Sequence, residues 1–197
     1  MSTKELILLE QSLKDCQLCP LAATRQYMVF GKGSLHADIM LIGEGPGADE
    51  DAQGQPFVGK AGQLLDKILE AAELPPDDIY ICNVVKCRPP GNRLPQPPEV
   101  EACKPFLRQQ IKFIAPKIIV CLGALAAQVL ISPDARITKI RGNWIGKGPL
   151  MIMPTFHPAA LLRDESKKRP VWLDMQAVRD YYRQIKGIAK EESWPPA

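Results

Sequence analysis

Apolar residues along the chain follow two alternating rhythms, and their order outlines an architecture. From Thr3 to Asp15 leucine and isoleucine recur at helical spacing among charged residues such as Glu5 and Glu10, which predicts an amphipathic surface helix. Asp38 to Gly43 (DIMLIG) is a short, nearly continuous apolar run that opens into glycines, as a buried parallel strand does where it enters a loop. Gly62 to Glu73 returns to the helical period and is stopped by Pro75-Pro76. Ile79 to Val85 and Lys117 to Leu122 predict two more strands, separated by a helix from Pro98 to Ile114 with Pro98 in its first turn. A short helix over Gly123 to Ile131, a fourth strand over Leu150 to Thr155 and a terminal helix over Arg169 to Ile185 complete the series. The last helix carries Trp172, Met175, Val178 and Tyr182 along one side. Strands separated by helices predict a parallel sheet covered on both faces. No internal repeat or linker interrupts the pattern, so residues 1–197 read as one domain. Its ends are an N-terminal helix and cysteine turn (1–20) and a flexible tail (187–197).

Open parallel sheets hold ligands outside the carboxyl ends of their strands, so the segments after the strands come next. Strand one is followed by Gly43-Glu44-Gly45-Pro46-Gly47, an acidic stretch with Asp49, Glu50 and Asp51, and Gln55-Pro56-Phe57-Val58-Gly59. The glycines lack the Lys and Ser/Thr of a phosphate-binding loop and the third glycine of a dinucleotide fingerprint. Near the end of strand two comes Asn83, then Lys86-Cys87-Arg88-Pro89-Pro90-Gly91-Asn92-Arg93; after strand four comes Thr155-Phe156-His157-Pro158. Three strand ends thus send an acid, an aromatic ring, an amide and an imidazole to one region. Phe57, between Pro56 and Gly59, is expected to offer a ring face for stacking. Asn83 sets a donor beside an acceptor, which is the pattern that reads one edge of a pyrimidine. His157 stands at a strand end before a proline, placed to act, whereas His36 lies at the opposite edge of the sheet and reads as a bystander.

Composition narrows the class. With 25 Lys and Arg against 22 Asp and Glu the net charge is +3, a mild basic excess that permits a polyanionic partner without requiring one. No apolar run is long enough to span a bilayer and the N-terminus has no signal-peptide pattern, so a soluble, cytoplasmic protein is expected. Of the 6 cysteines, Cys82 and Cys121 lie inside apolar strands and read as inert thiols. Cys16 and Cys19 form a C-x2-C turn followed by Pro20, and Cys87 and Cys103 flank a proline-rich loop. Those four ask for a metal centre. Spacing alone leaves zinc and iron–sulfur open, and Pro20 leans toward iron–sulfur.

These segments together closely resemble the family 4 uracil-DNA glycosylases, the iron–sulfur branch of the uracil-DNA glycosylase superfamily. The resemblance rests on Gly43-Glu44-Gly45-Pro46-Gly47, Pro56-Phe57-Val58-Gly59-Lys60-Ala61-Gly62, Asn83 with Lys86-Cys87-Arg88-Pro89-Pro90, and His157-Pro158-Ala159-Ala160-Leu161, and it runs over nearly the whole chain. It implies a three-layer α/β/α sandwich around a four-stranded parallel sheet. It also implies a 4Fe-4S cluster on Cys16, Cys19, Cys87 and Cys103, and a monofunctional repair enzyme that removes uracil from DNA and leaves an abasic site. On that reading the flipped uracil stacks on Phe57 and pairs with Asn83. His157 and the Gly43–Gly45 backbone stabilise its O2, and Glu44 positions water or steadies the sugar cation. Glu50 is the second candidate for that task, or for walling off the C5 side of the pocket against thymine. Leu161 is expected to wedge into the duplex, with Arg163, Lys86, Arg88 and Arg93 on phosphates and Lys167, Lys168 and Arg169 continuing the basic run. The partner is uracil-containing DNA, single- or double-stranded, met by a monomer; the tail could dock a repair or replication partner. The alternative is a non-catalytic nucleic-acid-binding or polymerase-associated module with a structural four-cysteine centre, which leaves the convergence of Phe57, Asn83 and His157 unexplained.

Overall fold

The structure is a computed structural model that describes residues 2–188; Met1 and residues 189–197, most of the expected tail, lie outside the described residues. Helix α1 (Ser2–Leu13) leads through the cysteine turn to a two-residue strand β1 (Lys32–Gly33). Then come β2 (Ile39–Gly43), α2 (Ala48–Gln53), α3 (Lys60–Ala71), β3 (Ile79–Asn83), α4 (Pro97–Ile114), β4 (Ile118–Leu122), α5 (Ala124–Leu130) and α6 (Ile137–Ile140). Strands β5 (Ile145–Lys147) and β6 (Leu150–Thr155) and helices α7 (Pro158–Arg163) and α8 (Lys168–Lys186) finish the described chain.

The sheet order is β1-β3-β2-β4-β6-β5. The four expected strands form its parallel centre, but the sheet is six-stranded and mixed, because β1 and β5 add antiparallel edges. These edge strands span only two and three residues, too short for a period-2 pattern. Side chains of the central strands alternate between two cores. Met40, Ile42, Cys82, Ile119 and Cys121 pack under α1, α4 and α5, while Ile39, Leu41, Ile81, Ile118 and Val120 pack under α3, α7 and α8. Both strand cysteines are fully buried, and burial pushes the Cys121 thiol up to about 12 and raises that of Cys82. Their burial inside the strands is as expected. No helix among the described residues is long and apolar enough to cross a membrane.

Parallel pairing brings the carboxyl ends together. Gly43 stands opposite Asn83 and Leu122 opposite Thr155. Beyond the strands the pairing continues, with Val84 N donating to Gly43 O at 2.9 Å and Val85 N to Glu44 O at 3.1 Å. The loops after β2 and β3 therefore run side by side, and they carry the site.

Candidate active site

A cavity of about 540 Å³ opens at these strand ends, lined by Glu44, Gly45, Gly47, Glu50, Phe57, Asn83 and His157, with Arg93, Leu94 and Arg163 among the other lining residues. Gly43 explains how the central groups come so close. A Cβ there would lie 2.4 Å from Asn83 Oδ1 and 2.7 Å from the Phe57 ring, so only glycine leaves room for both. Phe57 is buried rather than exposed, with 5% of its surface accessible and a left-handed φ of 53°. Backbone strain of this kind persists only where neighbours enforce it. Here Lys32 Nζ donates to Phe57 O at 3.2 Å, and a Cβ on Gly62 would sit 2.1 Å from the same oxygen. The Phe57 ring lies nearly parallel to the His157 ring, with centroids 5.6 Å apart.

Asn83 is 2% exposed, and its Oδ1 has no hydrogen-bond partner. An unpaired buried acceptor costs about 1–3 kcal/mol, so its presence beside a cavity points to a donor that arrives with a ligand. His157 closes β6 and caps α7, accepting the Ala159 N–H on Nδ1 at 3.1 Å. That bond leaves the ring proton on Nε2. Burial first, then the nearby Arg163 guanidinium, lowers the imidazole pKa to about 4, against a smaller opposing pull from Glu50. His157 is thus a neutral donor at physiological pH. The His36 ring lies on the surface, with Nε2 3.2 Å from Thr3 Oγ1.

The two acids differ. The Glu44 carboxylate has no hydrogen-bond partner among the described residues, and burial raises its pKa despite the counteracting Arg163 charge. Glu50 is fully engaged: Oε1 accepts the N–H groups of Val58 and Gly59 at 2.9 Å each, and Oε2 accepts that of Gly47 at 3.0 Å. Glu50, expected as a second water-positioning acid or as a wall against thymine, lines the cavity with both oxygens bonded to backbone, and it staples the glycine turn to the Phe57 loop.

Two of the expected DNA-contacting residues also need correction. Leu161 is 1% exposed and packs in the α3/α8 core, because the His-Pro step starts a helix whose inner face it occupies. Lys86 is 2% exposed; its ammonium donates to Asn83 O at 2.6 Å and cannot reach a phosphate from there. Arg88 donates to Asn92 Oδ1 at 2.8 Å, and Arg93 makes two bonds to the buried Glu99 carboxylate, at 2.8 and 2.6 Å. Arg163 is exposed at the cavity wall without an ion-pair partner among the described residues.

Sequence reasoning missed a buried polar network at the end of β6, two residues before His157. Thr155 Oγ1 donates to Asp174 Oδ2 at 2.6 Å, and Arg141 grips the same carboxylate through two nitrogens while donating to Pro170 O at 2.8 Å. The three residues are distant in sequence, and no local spacing announces them. Glu99 did have a signal, the Gln96-x-x-Glu99 pattern of a helix start, in which Gln96 N donates to Glu99 at 2.7 Å.

Cys16, Cys19, Cys87 and Cys103 line one small cavity together with Arg25 and Lys86. All four are free thiols. Arg25 donates to Cys87 Sγ at 3.1 Å, and burial pushes the Cys103 thiol up to about 11. Among the described residues, no three His, Cys, Asp or Glu side chains are grouped to hold a single metal ion.

Fold and site define a class: an α/β protein with a cavity lined by hydrogen-bonding groups at the carboxyl ends of its parallel strands. Residues 30–177 match the family model described as the Uracil DNA glycosylase superfamily. The chain is 43% identical to the type-4 uracil-DNA glycosylase of Thermotoga maritima over 189 residues, 92% of this chain and 97% of the relative. It is 42% identical to the type-4 enzyme of Pyrobaculum aerophilum over 79% of this chain and 83% of that one. With the type-4 enzyme of Sulfurisphaera tokodaii the identity is 40% over 87% and 82%. The chain belongs to the uracil DNA glycosylase superfamily and, within it, to the type-4 branch.

Proposed function

We propose that this glycosylase takes uracil out of the base stack, holds it in the cavity at the strand ends and hydrolyses its bond to deoxyribose, leaving an abasic site in DNA. The observation that carries the reading is the unpartnered, buried Asn83 Oδ1 beside a neutral His157 donor. Uracil supplies what Asn83 lacks: N3–H donates to Oδ1 while O4 accepts from Nδ2. Cytosine has the reverse donor pattern at those atoms and leaves the buried amide unpaired. The Phe57 ring, held against His157, stacks on the base.

As the C1′–N1 bond breaks, its electron pair moves into the uracil ring and charge grows on O2. His157 Nε2–H donates to that oxygen, with the N–H groups of the Gly43–Gly45 turn beside it. Water adds to C1′ and its proton leaves toward solvent or Glu44. Glu44 has no internal partner, which suits a carboxylate that steadies the sugar cation and orients that water. Glu50 fills the space beside Gly47, where a Cβ would lie 2.6 Å from Oε2. Its fixed carboxylate can act as the wall that meets a C5 methyl, the second of its two expected roles. Arg163 and Arg93 line the cavity and, with Arg88 on the neighbouring turn, offer positive charge for phosphates.

The four cysteine thiols suit a 4Fe-4S cluster. They surround a space rather than meeting at a point, as a many-atom cluster requires, and the lining holds no histidine or carboxylate. Cys16 and Cys19 of the N-terminal turn, Cys87 of the loop after Asn83 and Cys103 of α4 would hold it, and a cluster bound there would supply a structural crosslink between these segments. Lys86, which ties that loop to the Asn83 carbonyl, passes the restraint on to the pocket. We read residues 1–197 as one unit that works as a monomer. Incubation with uracil-containing single- and double-stranded oligonucleotides followed by alkali tests the reading. Strand cleavage at the uracil is expected, and no alkali-labile product would sink it.

A further inference from the structure

An enzyme that extracts a base leaves a gap in the stack, and an apolar side chain commonly fills it. Leu161 is buried in the core and cannot do so without leaving it. Leu162, its neighbour, is 51% exposed but does not line the cavity. Leu94 does both: 70% of its surface is exposed, and it sits on the cavity wall with Glu44 and His157.

The loop that carries Leu94 is braced from several sides. Pro95 is buried, and both Pro89 and Pro95 pack at Gly45, within 4 Å of where a Cβ there would lie. Arg93 donates to Leu94 O at 3.0 Å while making its two bonds to Glu99, which is 1% exposed and also accepts the Gln96 N–H. Arg88 pins the turn through Asn92. Exposure alone does not mark Leu94, since Leu8 and Leu173 are more than half exposed as well; its loop is distinguished by presenting it at the cavity beside Glu44, on a platform whose partners are fixed, as a preorganised contact requires.

We propose that Leu94 is the wedge that enters the duplex as the uracil leaves it. The assignment rests on the uracil-excision reading and adds the residue that makes duplex DNA a substrate. A wedge matters where stacked pairs must be opened and much less where the strand is already single. Leu94→Ala should therefore lower the single-turnover excision rate on duplex uracil by about tenfold or more, with a clearly smaller loss on the same strand unpaired. Leu94→Met should recover most of the duplex rate. A 2-aminopurine placed next to the uracil should brighten less with Leu94→Ala than with the wild-type protein. Equal losses on both substrates, no loss on either, or a duplex-selective loss in Leu162→Ala would overturn the assignment. A wild-type protein that excises uracil from neither substrate would instead overturn the excision reading, and this assignment with it.

Discussion

Glu50→Gln is the substitution that best separates a structural acid from a chemical one. The Glu50 carboxylate takes three backbone N–H groups, from Gly47, Val58 and Gly59. Glutamine keeps the shape but offers one oxygen. If that oxygen stays with Val58 and Gly59, the new amide faces the Gly47 N–H, donor against donor. A hydrogen bond to a charged group contributes about 1.5–3 kcal/mol, and that much stability should be lost. Against a total of about 5–15 kcal/mol the change is easily read as a lower urea midpoint. Excision should slow in the same preparation, because the glycine turn and the strained Phe57 lose their common anchor. Glu44→Gln is the contrast. Glu44 has no partner to lose and burial opposes its charge, so stability should hold or rise while single-turnover excision falls by roughly a hundredfold or more. A Glu50→Gln protein with an unchanged midpoint and abolished excision would refute this reasoning and make Glu50 the reacting acid.

Other outcomes follow from single residues. Leu161→Ala removes a core side chain and should cost about 2–5 kcal/mol in denaturation, where a DNA-contacting leucine would cost almost nothing. His157 binds its proton near pH 4 when folded and near 6.5 when unfolded. Its contribution to stability is therefore complete above pH 6.5 and is lost as the pH falls toward 4, by at most roughly 3 kcal/mol. Glu44, whose pKa is raised, acts in the opposite sense, so the test is whether His157→Gln flattens the wild-type fall; an unchanged slope would contradict the assigned environment. The purified protein should be brown with broad visible absorption, and Cys103→Ala should lose colour and stability; a colourless wild-type protein would count against an iron–sulfur cluster.

The four central strands were legible because each is a short run buried on both faces, and the carboxyl-end rule then gathered Glu44, Phe57, Asn83 and His157 correctly. What stayed hidden depends on direction rather than composition. Lys86 reads as a loop cation, yet its side chain turns inward to Asn83 O. Leu161 reads as a loop tip until the His-Pro step is seen to start a helix. The edge strands are too short to show a period, and the Thr155–Asp174–Arg141 network joins residues 19 and 33 positions apart. Glu50 stands at the cavity as expected, but its anchoring role stayed hidden, because three backbone donors converge on it only in three dimensions.

The central claim is that an orphaned Asn83 amide recognises uracil by pairing with it. Its most direct test is single-turnover excision of U, C and T from one position of one single-stranded oligonucleotide, by the wild-type protein and by Asn83→Ala. The wild-type protein should release uracil alone, and Asn83→Ala should release it at least about tenfold more slowly, as expected when a buried amide loses its ligand. Release of cytosine as fast as uracil, or an Asn83→Ala protein as fast as the wild type, would contradict the account.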